Sequence, residues 1–399
     1  MTAFFTDEQL APVTAPEGEG GHLPVRAYLD EDVALWEAEH IWANGWVCVA
    51  SVANLSRRGD HLARPVGNRQ LVINRAADGT IQAFHNVCQH RGCRLVEDGN
   101  HHSARMVCPY HAWIYDHDGK LKRAPYTDIL ESEDADRFDL VPVRTEVAGG
   151  LVFVDCSGSA PPLADEAAPI LDVLERYGVA ELKIGARWED EVAANWKVVA
   201  ENALECNHCN VVHPELNDLA GYLTADESVG PGPIFESRQV LSDDVQTISM
   251  DGTTNGRPLL PGLRPEEIRM ARFIHHFPGL SVSCKPDGVT LFWYYPEGAS
   301  KTVLVQEMLF APEVIDQGMD VSDAVEFTQR VARQDWVVLA QVQRGLASQG
   351  YTGGVYSSIE GRAHAFDKFI EHAYRTGERP LQHSLRIRTK AEKGLRRDD

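Results

Sequence analysis

Cys88-Gln89-His90-Arg91-Gly92 and, further on, Cys108-Pro109-Tyr110-His111-Ala112-Trp113 decide how the 399-residue chain is read. Together they give C-x-H, 17 intervening residues, then C-x2-H. Each half offers one thiolate and one imidazole on a short loop between strands. A tetrahedral Cys2His2 zinc site is one chemical solution. The other is a [2Fe–2S] cluster with both cysteines on one iron and both histidines on the other. The single residue inside C-x-H is tight for zinc, where two to four are usual. Cys and His taken alternately from two loops suit two irons held side by side. Unrelated core cysteines and surface histidines would not give this paired spacing.

Working outward, the flanks have the texture of a small antiparallel β domain. Leu71-Val72-Ile73 and Ile81-Gln82-Ala83-Phe84 are short runs separated by the turn signal Asp78-Gly79. Trp113-Ile114-Tyr115, the turn Asp118-Gly119, and Gly150-Leu151-Val152-Phe153-Val154 continue the pattern. The β texture spans residues 44–156, and Ser157 to Pro162 is a linker by composition. Ahead of it, Asp30 to about Trp46 has helical apolar spacing. Residues 157–399 are α+β: a helix over Ala193–His213 stopped by Pro214, strands at Thr290–Tyr295 and Thr302–Phe310, and a long amphipathic helix over Val321–Leu346. The Gly- and Pro-rich stretch 215–272 gives no pattern and is expected to be mobile around a site. The tail, with six Lys or Arg in its last 14 residues, is expected to be a solvated end.

Composition narrows the classes. An apolar content of 43% and a charged content of 24% are those of a globular protein. No run approaches the roughly 18 apolar residues of a membrane helix. Met1 to Leu10 carries Asp7 and Glu8 with no basic flank, so a secretory signal is not expected. The formal net charge of −21 repels phosphate backbones and argues against a nucleic-acid partner. Eight cysteines in this length are too sparse for a disulfide framework; six fall between 88 and 209, so metal chemistry is expected before disulfides.

A second constellation follows Asn195-Trp196-Lys197, in Glu205-Cys206-Asn207-His208-Cys209-Asn210-Val211-Val212-His213-Pro214. Cys206-x2-Cys209 could be a redox pair or half a zinc site, but no second C-x2-C exists. The stronger pattern is E-x2-H-x4-H. On an ideal helix His208 and His213 lie about 140° apart, so they converge only if the helix widens or ends between them, which Pro214 permits. Two histidines need a carboxylate to complete the 2-His-1-carboxylate face of a non-haem Fe(II) site. Asp335 is the candidate, set among Val331, Val338, Leu339 and Val342 on one helix side. An ionised carboxylate there is costly unless it is paired or metal-bound; pairing with Arg330 or Arg333 is the alternative. Glu205, one turn before His208, could itself be a ligand.

These motifs resemble those of Rieske non-haem iron oxygenase α subunits. The resemblance covers about residues 30–375 and includes Tyr115-Asp116-x-x-Gly119-Lys120-Leu121, His213-Pro214-Glu215-Leu216 and Gln334-Asp335 through Gln341-x-Gln343-x-Gly345-Leu346. It implies an N-terminal helical segment (1–43) packing on the catalytic domain, an antiparallel β Rieske [2Fe–2S] domain (44–156), and a catalytic domain (157–399) of helix-over-antiparallel-sheet, helix-grip or START-like form. It implies cluster ligands Cys88, His90, Cys108 and His111, with Cys93 a non-ligand neighbour, and Fe(II) ligands His208, His213 and Asp335. It places Glu205 where an acidic residue bridges the Rieske histidine of one subunit to an iron-ligand histidine of its neighbour. Asn207 stands where relatives often carry Tyr.

The run Gly345-Leu346-Ala347-Ser348-x-x-Tyr351-x-x-Gly354, with Ser357, Glu360 and Phe366, is similar to the branch of choline and glycine betaine monooxygenases and stachydrine demethylase. That branch implies a homotrimer, O2 as co-substrate, and hydroxylation or N-demethylation of a methylated quaternary ammonium compound. The runner-up is mono- or dioxygenation of an aromatic acid. A bare electron carrier or zinc module would leave Glu205, His208, His213 and Asp335 idle. No nucleotide-binding glycine motif follows a strand, so NAD(P)H and flavin are expected on a separate ferredoxin-type reductase, and the location is expected to be cytoplasmic. Phe292-Trp293-Tyr294-Tyr295 and Tyr222 are the candidate aromatic cage for the cation.

Overall fold

In the computed structural model, the structure describes residues 4–16, 19–221, 226–229 and 233–379; the basic tail and Tyr222 lie outside them. Asp30 caps the first long helix, its carboxylate accepting the Asp32 N–H at 2.9 Å. That helix runs Glu31–Glu37 and continues, wider wound, over Ala38–Trp42, with Ala43 N–H bonded to Ala38 O. Gly45, at φ +112°, ends it, so Trp46 opens a strand rather than closing the helix.

Strands β1 (Trp46–Ser51), β2 (Asp60–Val66), β3 (Arg69–Arg75), β4 (Ile81–His85), β5 (Gly99–His102), β6 (Met106–Val107), β7 (Ile114–Tyr115), β8 (Leu121–Arg123), β9 (Pro142–Ala148) and β10 (Leu151–Asp155) follow. They form an antiparallel sheet in the order β1-β10-β9-β4-β3-β2-β5 and a small sheet β6-β7-β8. The segment after β10 is pinned. Asp155 accepts from the Ser157 and Ala160 N–H groups at 2.9 and 3.0 Å, and Trp46 Nε1 donates to Pro161 O at 2.8 Å.

The second half builds one larger platform. Strands β11 (Lys183–Val192), β12 (Asp226–Val229), β13 (Ile234–Val240), β14 (Met270–His276), β15 (Leu280–Lys285), β16 (Gly288–Pro296) and β17 (Thr302–Phe310) form an antiparallel sheet ordered β11-β17-β16-β15-β14-β13-β12. One face packs against the first sheet; there Trp293 Nε1 donates to Cys48 Sγ at 3.4 Å. Helices Trp196–Ala203 and Ser322–Leu346 lie over the other face. The fold is therefore α+β, a β domain with a helix-over-sheet domain.

Asn195-Trp196-Lys197 is an architectural motif. The Asn195 side chain caps its helix by accepting the Lys197 N–H at 3.0 Å, and its amide donates to Ala299 O at 2.8 Å. Trp196 meets Trp42 edge-on at 5.2 Å. Lys197, fully buried, pairs with Glu37 at 2.7 Å, tying the N-terminal helix to the catalytic platform. Gln343 Oε1 accepts the Asn195 N–H at 2.9 Å, which explains that residue in the Gln341-x-Gln343 run.

Two expectations need correction here. The helix predicted over Ala193–His213 ends at Ala203; a turn follows, then a single turn of helix at Cys209–Val212. Pro214 starts the next helix, Pro214–Leu219, instead of stopping one, because at the first helical position its missing N–H costs nothing. Stretch 215–272, expected to be mobile, is anchored in its described part by Arg257. This fully buried side chain bonds Asp287 Oδ2 at 2.9 Å and Asp323 Oδ1 at 2.6 Å.

Candidate functional site

The two Cys/His loops are built alike. Cys88 N–H donates to Cys93 O and Cys108 N–H donates to Trp113 O, each at 2.8 Å. Gly92 N–H returns to Cys88 O and Ala112 N–H to Cys108 O. Both turn residues are left-handed, Gly92 at φ +72° and Ala112 at φ +54°. This repeated geometry aims four side chains at one point. Cys88 and Cys108 are buried, while His90 is exposed and His111 half-buried. The two imidazoles meet edge to face at 4.6 Å, and His90 stacks on Trp113 at 4.8 Å. Nδ1 of His111 has no hydrogen-bond partner among the described residues. Inner thiols, rim imidazoles and a ring nitrogen left without a protein partner are the donor set that would hold a [2Fe–2S] group. Cys93 lies beside Cys108, but its Sγ donates to Arg94 O at 3.3 Å.

Tyr115 sits behind this site. Its hydroxyl accepts the Gln89 N–H at 3.0 Å and lies 3.5 Å from Cys88 Sγ, leaving its own proton for the sulfur. Hydrogen bonds to cluster sulfurs raise reduction potentials, so Tyr115→Phe is expected to lower the cluster potential by something on the order of tens of mV with cluster content intact. A redox titration followed by visible absorption checks this; an unchanged potential would show that the hydroxyl does not address the sulfur.

The second constellation converges because its helix breaks. His208 lies in the turn after Ala203, and His213, at φ −145° and ψ +70°, separates two short helices. The rings stand perpendicular at 5.1 Å. Asp335, on Ser322–Leu346, brings Oδ1 to 3.3 Å from His208 Nε2 and 3.8 Å from His213 Nδ1. The alternative partners are engaged elsewhere: Arg330 with Glu326 and Arg333 with Gln329. Glu205 Oε1 accepts from His208 Nδ1 at 2.5 Å, and its other oxygen accepts the Asn207 N–H. Asn202 Nδ2 reaches His208 Nε2 at 3.2 Å and Asp335 Oδ1 at 3.4 Å.

The electrostatics call for a cation. Burial opposes protonation of His208, yet hydrogen bonds to Asp335 and Glu205 outweigh it and push the imidazole up to about 10. His213 is held low by burial, and its Nδ1 has no hydrogen-bond partner among the described residues. Two imidazoles and a carboxylate facing one point fit a 2-His-1-carboxylate Fe(II) site.

One further finding overturns an expectation. Metal chemistry is expected before disulfides, yet Cys206 and Cys209, by spacing a candidate redox pair or half a zinc site, form a disulfide, with Cα atoms 5.0 Å apart. That spacing lies within the range a disulfide spans. Cys209 Sγ also lies 3.9 Å from His208 Nε2, a proximity the sequence pattern did not reveal.

Glu205, His208, His213 and Asp335 line a cavity of about 190 Å³ between the helices and the catalytic sheet. Of the candidate aromatic cage, Phe292 and Tyr294 line it; Trp293 and Tyr295 belong to the opposite face of β16. Phe273, Phe327 and Trp336, which sequence reading missed, also line it. So do Ser237, Gln239, His275 and Lys285 from β13 to β15.

Known proteins match along nearly the whole chain. The Rieske [2Fe-2S] domain family matches residues 45–133 and the ring hydroxylating alpha subunit (catalytic domain) family residues 179–376. The glycine betaine monooxygenase oxygenase subunit of Chromohalobacter salexigens is 30% identical over 378 residues, 85% of this chain and 82% of that protein. The carnitine monooxygenase oxygenase subunit of Acinetobacter pittii is 30% identical over 329 residues, 82% of this chain and 85% of that protein. The solved structure of a quaternary ammonium Rieske monooxygenase with L-carnitine aligns at TM-score 0.75 and 25% identity, covering 93% of this chain and 99% of that one. Naphthalene 1,2-dioxygenase from Rhodococcus sp. shares the fold, with TM-score 0.74 at 18% identity over 93% of this chain and 98% of its own.

Proposed function

Since the chain belongs to the Rieske oxygenase α subunits, we propose that it is the terminal oxygenase of a two-component system. It uses O2 and reductase-supplied electrons to hydroxylate, and so N-demethylate, a methylated quaternary ammonium compound. The observation that carries this is one cavity joining the His208, His213 and Asp335 donors to the faces of Phe273, Phe292, Tyr294, Phe327 and Trp336. Aromatic faces attract a desolvated ammonium by about 2 kcal/mol or more. The relatives named for glycine betaine and carnitine oxygenation support the same substrate class.

In this reading Cys88, His90, Cys108 and His111 hold the [2Fe–2S] cluster, and His208, His213 and Asp335 hold Fe(II). The cluster supplies one-electron storage and the Fe(II), with open positions, supplies O2 activation. Glu205 fixes the His208 tautomer, so that Nε2 faces Asp335. Asn202 orients both His208 and Asp335. The apolar rings exclude water and seat an N-methyl group beside the donors. Hydroxylation of that carbon gives a hemiaminal, which releases formaldehyde.

The assembly belongs to the same proposal. Residues 1–43, 44–156 and 157–399 act as N-terminal segment, Rieske domain and catalytic domain of a cytoplasmic homotrimer fed by a flavin- and NAD(P)H-dependent, ferredoxin-type reductase. No helix among the described residues is long and apolar enough to cross a membrane. Exposed Val107, Tyr110, Tyr126 and Leu130 lie near the cluster loops, and exposed Val211, Val338 and Val342 lie on the segments carrying His208 and Asp335. Two different apolar patches suit a head-to-tail contact that closes as a ring. Inter-subunit electron transfer has been described for the structure of a quaternary ammonium Rieske monooxygenase, 24% identical to this chain.

A reductase-coupled assay across methylated ammonium compounds and aromatic acids tests the reaction. Stoichiometric formaldehyde from an ammonium compound is expected; a hydroxylated aromatic acid with no formaldehyde from any ammonium compound would overturn the reading.

A further inference from the structure

The cavity is chemically lopsided. Its helix side carries the carboxylates Glu205 and Asp335, and its sheet side carries an ammonium, Lys285, at the end of β15. Lys285 is only 3% exposed. Its Nζ makes one hydrogen bond, with Thr290 Oγ1 at 3.1 Å. Among the described residues no carboxylate oxygen lies within 4.0 Å of it. The nearby acids are committed: Asp287 accepts from Thr247 and Arg257, and Asp323 from Arg257. An ammonium has three donors, so two of them are left without a hydrogen-bond partner among the described residues. Burial lowers Lys285 to about 8, which leaves it cationic near neutrality. A buried charge without an opposite partner is strongly unfavourable.

Its surroundings share the same shortage. Ser237 Oγ, Gln239 Oε1 and His275 Nε2 line the cavity, are buried, and have no hydrogen-bond partner among the described residues. Burial holds His275 at about 3, aided by the charge of Arg362, so the ring is neutral. Its Nδ1 meets Ser281 Oγ at 2.6 Å. When Ser281 donates that bond, the imidazole proton sits on Nε2 and is available to a ligand.

We propose that Lys285 is the specificity-determining anion anchor of this cavity, seating a substrate carboxylate on the sheet side while the methylated ammonium faces the aromatic rings. The inference rests on the ammonium-oxygenase reading above and sharpens it: the preferred substrate is a betaine and not an amino alcohol. The cation alone would favour neither, because aromatic faces do not distinguish the far end of the molecule.

The test titrates the metal-loaded holoenzyme calorimetrically with glycine betaine, choline and benzoate, without reductase, so that nothing turns over. Wild type and Lys285→Met are compared; Met keeps the length and removes the charge. Glycine betaine is expected to bind wild type at least about tenfold more tightly than choline. Lys285→Met is expected to weaken glycine betaine by roughly 10- to 100-fold, the worth of a bond to a charged group, and to leave choline within about twofold. Choline binding as tightly as glycine betaine to wild type, or glycine betaine indifferent to the substitution, overturns the anchor. Benzoate binding that depends on Lys285, with no binding of either ammonium compound, sinks the ammonium reading and leaves the anchor standing. Acetate competition needs no variant: it is expected to displace glycine betaine and not choline, and failure to displace glycine betaine counts against the anchor even if Lys285→Met does not fold.

Discussion

Asp335→Ala is expected to strip the mononuclear iron while leaving the visible spectrum of the cluster unchanged. The wild-type carboxylate is not tied up in an ion pair with arginine: the two arginines on its own helix bond Glu326 and Gln329 instead. Its Oδ1 is the atom nearest both imidazoles, 3.3 Å from His208 Nε2 and 3.8 Å from His213 Nδ1. Removing it leaves two neutral nitrogens to hold a dication, and turnover is expected to fall by more than the roughly 100-fold that even an outer-sphere partner of a metal ligand costs. The cluster loops hang between β4 and β5 and between β6 and β7, in the first β domain, so their metal is independent of this change. Iron analysis set against cluster absorbance makes the measurement. Iron retained at the wild-type level would move the third ligand elsewhere, with Glu205 the next carboxylate at hand.

How much of this was legible depends on whether a pattern lies along the chain or across it. The ligand loops read correctly because each Cys/His pair sits within a few residues and repeats after a fixed gap. Strand Thr302–Phe310 read correctly because its nine residues hold no Gly or Pro and open on the β-branched and apolar run Thr302-Val303-Leu304-Val305. The break after Ala203 did not, since Leu204 to Val212 contains no Gly or Pro to mark it, and the turn is held by local bonds from Glu205 to Asn207 and His208 and from Cys206 to Cys209. Pro214 was read as a stop because a proline that ends one helix and a proline that begins another look the same in sequence. The cavity was harder still, because its lining comes from residues between Val199 and Arg362. One local signal existed: Ser281, Ser283 and Lys285 alternate with Leu280, Val282 and Cys284. Period-two polarity ordinarily means a wet face, and here every residue of β15 is buried. The polar face lines a cavity instead of solvent, a distinction that alternation alone does not carry.

Glu205→Gln is expected to do the opposite of Asp335→Ala: full metal content at both centres, and little turnover. The amide keeps an oxygen that accepts from His208 Nδ1, so the imidazole stays oriented and the iron stays bound. What it loses is the negative charge that strengthens His208 as a donor and, in the proposed trimer, the acidic link to a neighbouring Rieske histidine. Glu205 is suited to that link because it bonds His208 on one side while its side chain remains 14% exposed, and Val211, further along the same segment, is 84% exposed. Loss at or beyond the upper end of the 10- to 100-fold range for outer-sphere carboxylates is expected. A stopped-flow experiment reads the step directly: with substrate and O2, the prereduced cluster should reoxidise in wild type and stall in Glu205→Gln. Mixed trimers then locate the bridge. Chains lacking the cluster through His111→Ala, combined with Asp335→Ala chains, should regain turnover, since one supplies the electron and the other the iron. Glu205→Gln combined with Asp335→Ala should not, because the bridge and the iron it serves would sit on the same chain. Recovery in that second mixture would place the electron path through a different residue, and wild-type turnover by Glu205→Gln alone would remove Glu205 from the path altogether.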